Sequence, residues 1–413
     1  MTKRIILHAS EIATPMGTKA RAGKEMSQIK IIEDGAIVIE DGMIVAVDTS
    51  ASILSRFDLN QYTVTDASGK SVVPGFIDSH THFIFGGFRP DEFLMRLSGK
   101  SYMEIMKAGG GIENTVQATR ADSFESLFNS GIQRLNGMAR LGITTVEGKS
   151  GYGLDLETEL RMLRVMKKLN ADHPVDVVPT YLGAHALPRE FKADSQAYLQ
   201  FMIDQVIPEV AKERLADFCD VFCEEGVFSI DESRRLLNEA KKYGFLLKIH
   251  ADEIESMGGA ELAAEVGTVS ADHLLEASEQ GVRALAERGI VTTLLPATAF
   301  CLNKPFADAR KMIDAGCAVA LGSDFNPGSC FTYSVPLIFA LAGIHMQMTS
   351  EEVLTAFTLN GAAALNRSET IGSIEPGKKA DLVLLNYPSY KYLIYNTAMN
   401  CVNTVIKNGH NAF

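Results

Sequence analysis

The sequence predicts an α/β protein: a (β/α)8 TIM-like barrel over residues 74–367, joined to a small β-sandwich built from both chain ends, residues 1–73 and 368–413. Three observations predict it. Between residues 76 and 321, eight short apolar runs alternate with amphipathic stretches; strands separated by helical crossovers pair in parallel, and at this count the sheet closes on itself. The two ends of the chain instead read as strands joined by tight turns, too few at either end to bury a core alone. Finally, the side chains able to do chemistry fall after many different runs. A ring of strand ends produces that distribution, whereas an open doubly wound sheet would gather them at one switch point.

Composition narrows the function. The 413 residues are 46% hydrophobic and 22% charged, enough to bury a large core, and carry a formal net charge of −12. That charge argues against nucleic-acid and anionic-membrane partners, and it means that an anionic small-molecule substrate needs a local cation. The six cysteines show no C-x-x-C spacing, which suits reduced thiols of the cytosol. The opening Met-Thr-Lys-Arg precedes an apolar run, Ile5-Ile6-Leu7, too short for a signal segment. No stretch approaches the roughly 20 apolar residues that span a bilayer. The expectation is a soluble cytoplasmic protein; a homodimer is compatible with these features.

In chain order, strands are expected at residues 3–7, 36–40 and 43–47, the last two joined by the hairpin signal Asp41-Gly42. Another follows at 62–65. At the far end, the turn Gly372…Gly377 leads into a strand near 381–385, and 402–407 ends at Asn408-Gly409. The barrel runs are 76–83, 143–148, 175–182, 218–223, 245–249, 268–271, 290–295 and 318–321. Of the helical stretches between them, 155–169 places Leu156, Leu160, Leu163 and Met166 on one face, a core-facing stripe.

The first run ends in His80-Thr81-His82. Alternation along a strand aims both imidazoles the same way, which makes half of a divalent-metal site. Later runs end at Lys149 and Tyr152, His185, Glu224 and Glu225, His250, His273 and Asp324. Five of the nine histidines thus fall at such ends, while His8, His173, His345 and His410 read as surface or packing residues. Three imidazoles and a carboxylate suit zinc or ferrous iron with one position open. His80, His82, His250 and Asp324 form that set; His185 and His273 are alternative ligands.

The segment Pro74-Gly75-Phe76-Ile77-Asp78-Ser79-His80-Thr81-His82, with His250, His273, Asp324 and the closing Gly372…Ala380-Asp381-Leu382-Val383, resembles the amidohydrolase superfamily. Within it, Phe85-Gly86-Gly87-Phe88-Arg89, Lys149-Ser150-Gly151-Tyr152-Gly153, Gly183-Ala184-His185-Ala186, His250-Ala251-Asp252-Glu253 and Asp324-Phe325-Asn326-Pro327-Gly328-Ser329 are similar to the imidazolonepropionase family. The combination covers nearly the whole chain. The resemblance implies hydrolysis of 4-imidazolone-5-propanoate to N-formimidoyl-L-glutamate in histidine catabolism, with one zinc or iron ion per chain. Two-metal members commonly use a lysine on the fourth strand, and the fourth run here, ending Val221-Phe222-Cys223-Glu224-Glu225, has none. It further implies a metal-activated water attacking the ring carbonyl, with Asp324 and His273 taking its proton and Glu253 serving the ring nitrogen. His185 would bind the imidazolone oxygen, and Arg89 and Tyr152 the polar ends of the substrate. Asn326, Gly328 and Ser329 would complete the pocket.

Competing readings stand beside these. Arg89 precedes Pro90-Asp91-Glu92, so an ion pair at a helix start is its plain alternative. Strict alternation from His250 aims Asp252, not Glu253, into the site; the family pattern requires the strand to end and the chain to turn there. Lys149 reads as the partner of a neighbouring carboxylate, Cys330 as a bystander, and Gly109-Gly110-Gly111 as a flexible loop, not a phosphate cradle. A related deaminase acting on another heterocycle would share the metal site, but would not need Arg89 and Tyr152 for a carboxylate tail. A barrel without catalysis would have lost ligands, and this chain keeps the set.

Overall fold

A computed structural model of the chain describes residues 3–100, 104, 110–191 and 194–413. Strands from both ends form one sheet. Lys3–Pro15, Ile29–Glu40 and Met43–Thr49 make an antiparallel meander. Its second turn is Asp41-Gly42, both at positive φ (47° and 81°), the geometry a two-residue hairpin loop demands. Thr63–Asp66 and Ser71–Pro74 lie parallel to the two halves of the first strand. The latter then pairs with Leu382–Leu385, which continues to Val402–Lys407 and His410–Asn411. The sheet surrounds a core of Ile6, Ile12, Ile37, Ile44, Val72, Leu382 and Ile406. Two strands, Ser71–Pro74 and His410–Asn411, were not expected from sequence, being short and lacking alternation of their own.

The second sheet holds eight strands in sequence order, Phe76–Asp78, Ile143–Lys149, Asp176–Ala184, Phe218–Cys223, Leu246–Ala251, Ser270–His273, Val291–Leu294 and Ala318–Leu321. Every neighbouring pair is parallel. Helices cross between strands as expected. Leu156–Asp172, for example, starts at Asp155, whose carboxylate accepts from Thr158 N at 2.7 Å, and buries Leu160, Leu163, Met166 and Leu169. The N-terminal mouth is plugged by Ala362, Leu365 and Ile371 against Ile77, Val178 and Phe218. Gly361 permits the approach, since a Cβ there would stand 3.0 Å from the Ile77 carbonyl oxygen.

The run 76–83, expected as one strand, is regular only through Asp78. Beyond it the backbone divides its hydrogen bonds between two neighbours. Lys149 N donates to Thr81 O at 2.9 Å; Asp324 N donates to His80 O, and His82 N to Phe325 O, each at 2.9 Å. The seam between first and eighth strands is therefore closed at its C-terminal rim by the same residues the sequence singled out. Among the described residues no helix is long and apolar enough to cross a membrane.

Candidate metal centre and active site

His80, His82 and His250 converge at the C-terminal rim, with one nitrogen of each within 4.8 Å of the others, all buried. Asp324 faces them: its Oδ1 lies 3.6 Å from His80 Nε2 and 3.5 Å from His82 Nε2. Those distances are too long for hydrogen bonds. They match the edge of a tetrahedron of ligands around one ion, about 3.4 Å for metal–ligand bonds of about 2.0–2.2 Å. His80 Nε2 and His250 Nε2 are buried without a hydrogen-bond partner among the described residues, an arrangement unfavourable unless something else binds there. Asp324 Oδ2 accepts from Thr298 Oγ1 at 2.7 Å, leaving Oδ1 for the centre. Burial holds the three histidines well below their usual pKa, in the neutral form a metal requires. The donor set fits one divalent cation.

His273 sits beside this set, its ring 5.4 Å from that of His80 and 5.2 Å from that of His250. It adopts φ 77° and brings Nε2 to 3.6 Å from Glu253 Oε2. Burial lowers its pKa to about 4. Glu253 reaches this position because the fifth strand ends at Ala251 and Asp252 turns the chain at φ 48°. The Asp252 carboxylate points away and accepts from the N–H groups of Met257, Gly258, Gly259 and Ala260, at 3.0, 3.1, 3.0 and 2.9 Å. Glu224 braces the same turn by accepting from Glu253 N, Ile254 N and Glu255 N. Strict alternation fails here for that reason. Burial, followed by the charges of Asp324 and Glu224, pushes the Glu253 carboxyl up to about 8.

His185 stacks on His82 at 4.9 Å, and its Nδ1–H donates to Gly151 O at 3.1 Å, which leaves Nε2 as an acceptor. Tyr152 packs 5.2 Å from His185 and is buried. Arg89 is only 13% exposed; its Nε and Nη2 lie 2.9 and 2.8 Å from Glu92 Oε2. The expected ion-pair partner is thus present, but the pair is largely buried and not on the surface. Gly328 closes over the guanidinium, where a Cβ would stand 2.3 Å from Nη1. Arg89, Gly328 and Ser329 help line a cavity of about 420 Å³ with Phe88, Phe93 and Phe331. Asn326 does not offer its amide to this space. Nδ2 donates to Asp324 O at 2.7 Å and Ser329 Oγ at 2.8 Å, and Oδ1 accepts from Gly328 N and Ser329 N. Gly111 N donates to Glu92 at 3.0 Å; Gly109 of the glycine triplet lies outside the described residues.

Lys149 points into the barrel, bonded to Asp220 and Glu147 at 2.6 and 3.1 Å, as a structural partner. Around it lie Glu147, Asp220, Lys248 and Asp272, all fully buried and all passed over in the sequence. The signal was there: a charged residue inside an otherwise apolar run, two before a strand-end residue, as Lys248 is before His250. The remaining histidines are elsewhere: His8 beside Asp34, His173 beside Asn136, His345 stacked on Phe306, and His410 exposed.

The profile of the Amidohydrolase family matches residues 71–412. Imidazolonepropionase of Clostridium tetani is 56% identical over 98% of this chain and 97% of its own length. The Parabacteroides distasonis imidazolonepropionase is also 56% identical, over 99% of this chain and 98% of its own. In three dimensions the chain resembles Escherichia coli guanine deaminase (TM-score 0.74, 14% identity, covering 100% of this chain and 99% of that one). It also resembles a zinc-bound adenosine deaminase of Xanthomonas campestris (TM-score 0.71, 18% identity, 99% and 92%). The deaminases share the fold; full-length identity lies with the imidazolonepropionases. The chain belongs to the amidohydrolase family and, within it, to the imidazolonepropionases.

Proposed function

We propose that the chain hydrolyses the cyclic amide of 4-imidazolone-5-propanoate, giving N-formimidoyl-L-glutamate in histidine degradation, with one zinc or iron ion held by His80, His82, His250 and Asp324. The observation that carries the reading is Asp324 Oδ1 at tetrahedral-edge distance from two imidazoles, with Tyr152 within reach of the charges of both Asp324 and the largely buried Arg89. When bound, the ion supplies a water of lowered pKa and polarises the ring carbonyl. Thr298 holds Asp324 so that one oxygen remains free to ligate or to accept a proton. His273, neutral at pH 7 with its pKa near 4, accepts a hydrogen bond or a proton from the water that attacks the ring carbonyl. Glu253, whose carboxyl burial raises above the usual carboxylate range, is suited to hold a proton and donate it to the ring nitrogen as the bond between that nitrogen and the carbonyl carbon breaks. His185 is neutral, with its pKa lowered to about 4, and gives its Nδ1–H to Gly151 O. Its Nε2 is therefore an acceptor that takes an N–H of the imidazolone and not the ring oxygen expected from sequence. Arg89 reads the propionate carboxylate with Tyr152 beside it. Gly328 and Ser329 wall the pocket, and Asn326 acts by setting the shape of their loop. The same proposal treats residues 1–73 with 368–413 as one unit, 74–367 as the catalytic barrel, and the cytoplasm as the location, supported by six free thiols.

The test is turnover of imidazolone propionate compared with the same ring lacking the propionate arm and with guanine. Ring opening is expected with the first, at least tenfold weaker kcat/KM with the second, and no ammonia from the third. Ammonia release from guanine without opening of the imidazolone would reverse the assignment toward a deaminase.

A further inference from the structure

Beneath the candidate ligands lies a layer of five charges with no exposed surface: Glu147, Lys149, Asp220, Lys248 and Asp272. Isolated, any one of them would be strongly unfavourable there; paired, they form a bonded lattice. Lys149 Nζ is 2.6 Å from Asp220, 3.1 Å from Glu147 and 3.5 Å from Asp272. Lys248 Nζ is 2.9 Å from Glu147 and 3.7 Å from Asp272, and donates to Ser79 O at 3.0 Å. Thr180 donates to Glu147 at 2.5 Å and Ser270 to Asp272 at 2.7 Å. His80, Glu147 and Asp272 by themselves have metal-ligand spacing, within 4.8 Å of one another. The two ammonium groups bond the carboxylates of that triad and so occupy the place a second cation would take.

The lattice reaches the upper layer at two points. His80 Nδ1 is 2.6 Å from Asp272 Oδ2. His250 Nδ1 is 3.1 Å from Asp220 Oδ2, a close ion-pair contact that is out of line for a hydrogen bond, and has no other partner among the described residues. His82 has no such contact; its Nδ1 is buried without a partner among the described residues. An imidazole that donates Nδ1–H to a carboxylate is locked with its Nε2 lone pair outward, the tautomer a metal binds, and is made more basic.

We infer that Asp272 and Asp220 are positioning residues that fix the tautomers of His80 and His250, and that Lys149 and Lys248 hold both carboxylates in place for this from below. The inference rests on the metal-dependent reading above. It predicts that two of the three imidazole ligands are preset before any ion arrives. An amide in place of either carboxylate can turn its NH2 toward the ring and select the wrong tautomer, as carboxylate-to-amide changes beside catalytic histidines do.

The experiment uses the full chain and Zn²⁺ or Co²⁺ as probes. Zn²⁺ affinity is measured by competition with a chromophoric chelator, and the visible spectrum of the Co²⁺ form is recorded, for wild type, Asp272→Asn and Asp220→Asn. Each variant should weaken Zn²⁺ binding by about 10–100-fold and alter the Co²⁺ spectrum, while thermal unfolding of the metal-free forms shows that they fold. Should either variant fail to fold, wild type alone decides. Histidine-labelled ¹H–¹⁵N spectra of the Zn²⁺ form should show slowly exchanging Nδ1–H groups assigned to His80 and His250, beside that of His185 on Gly151 O. Zn²⁺ affinities within twofold of wild type in the folded variants, or an absence of protected Nδ1–H at His80 or His250 in wild type, would overturn the inference. Failure of wild type to bind Zn²⁺ or Co²⁺ would instead strike the metal-dependent reading itself.

Discussion

Replacing Arg89 by methionine and Glu92 by glutamine should move substrate affinity in opposite directions. One edge of the Arg89 fork is engaged, Nε and Nη2 lying 2.9 and 2.8 Å from Glu92, and Glu92 is itself fixed by Gly111 N at 3.0 Å. Only the edge toward Gly328 remains for a substrate carboxylate. One charge-assisted hydrogen bond in a largely water-excluded cleft contributes about 2 kcal/mol, so Arg89→Met should lower kcat/KM by about 30-fold, mostly through KM. Glu92→Gln keeps the shape but removes a negative charge. A carboxylate on the far side of the fork would sit roughly 6 Å from Glu92, a repulsion of about 3 kcal/mol at an effective dielectric of 20. Solvent at the rim screens most of that; about 1 kcal/mol remains, and KM should fall about fivefold. The assay is steady-state turnover of imidazolone propionate and of its uncharged propanamide analogue. Both effects should vanish with the amide. An unchanged kcat/KM in Arg89→Met, or an equal loss on both substrates, would refute the reasoning.

The histidines divide by the same logic. His273→Ala should keep one metal ion per chain while kcat falls by about 10²–10⁴, whereas His250→Ala should lose metal; a metal-free His273→Ala would make His273 a ligand. Gly328→Ala places a Cβ 2.3 Å from Arg89 Nη1, displacing the fork, so KM should rise about tenfold with kcat retained. In the metal-free chain the Glu253 carboxyl should titrate near 8, as followed by ¹³C NMR. It is protonated below that pH and ionised above. A divalent cation beside Asp324 should move the midpoint down by offsetting the neighbouring negative charge; a midpoint in the ordinary carboxylate range without metal would contradict its burial.

Much of this architecture was readable in the sequence because its main signals are local. His80-Thr81-His82, His250 and Asp324 stand out as polar residues ending apolar runs, and a barrel brings strand ends together whatever their separation along the chain. What escaped depends on single backbone angles or on long-range pairing. Glu253 displaces Asp252 because Asp252 adopts φ 48° and its carboxylate accepts from Gly259 N and Ala260 N at the start of Gly259–Val266, which no alternation pattern encodes. Asn326 has the composition of a binding residue, yet its amide is consumed by its own loop. Glu147, Lys248 and Asp272 sit within strands, where a charge reads as noise until the partners on neighbouring strands are known. The first strand is shorter than its apolar run because the chain beyond Asp78 pairs with residues about 70 and 240 positions away, a choice made by the closed barrel.

The central claim is one ion at His80, His82, His250 and Asp324, required for opening the imidazolone ring. Its most direct test is a titration of metal-free chain with Zn²⁺ or Fe²⁺, following bound metal and turnover of imidazolone propionate in the same samples. Turnover should rise in proportion to bound metal and saturate at one ion per chain. Full activity without metal, or saturation only at two ions, would contradict the account.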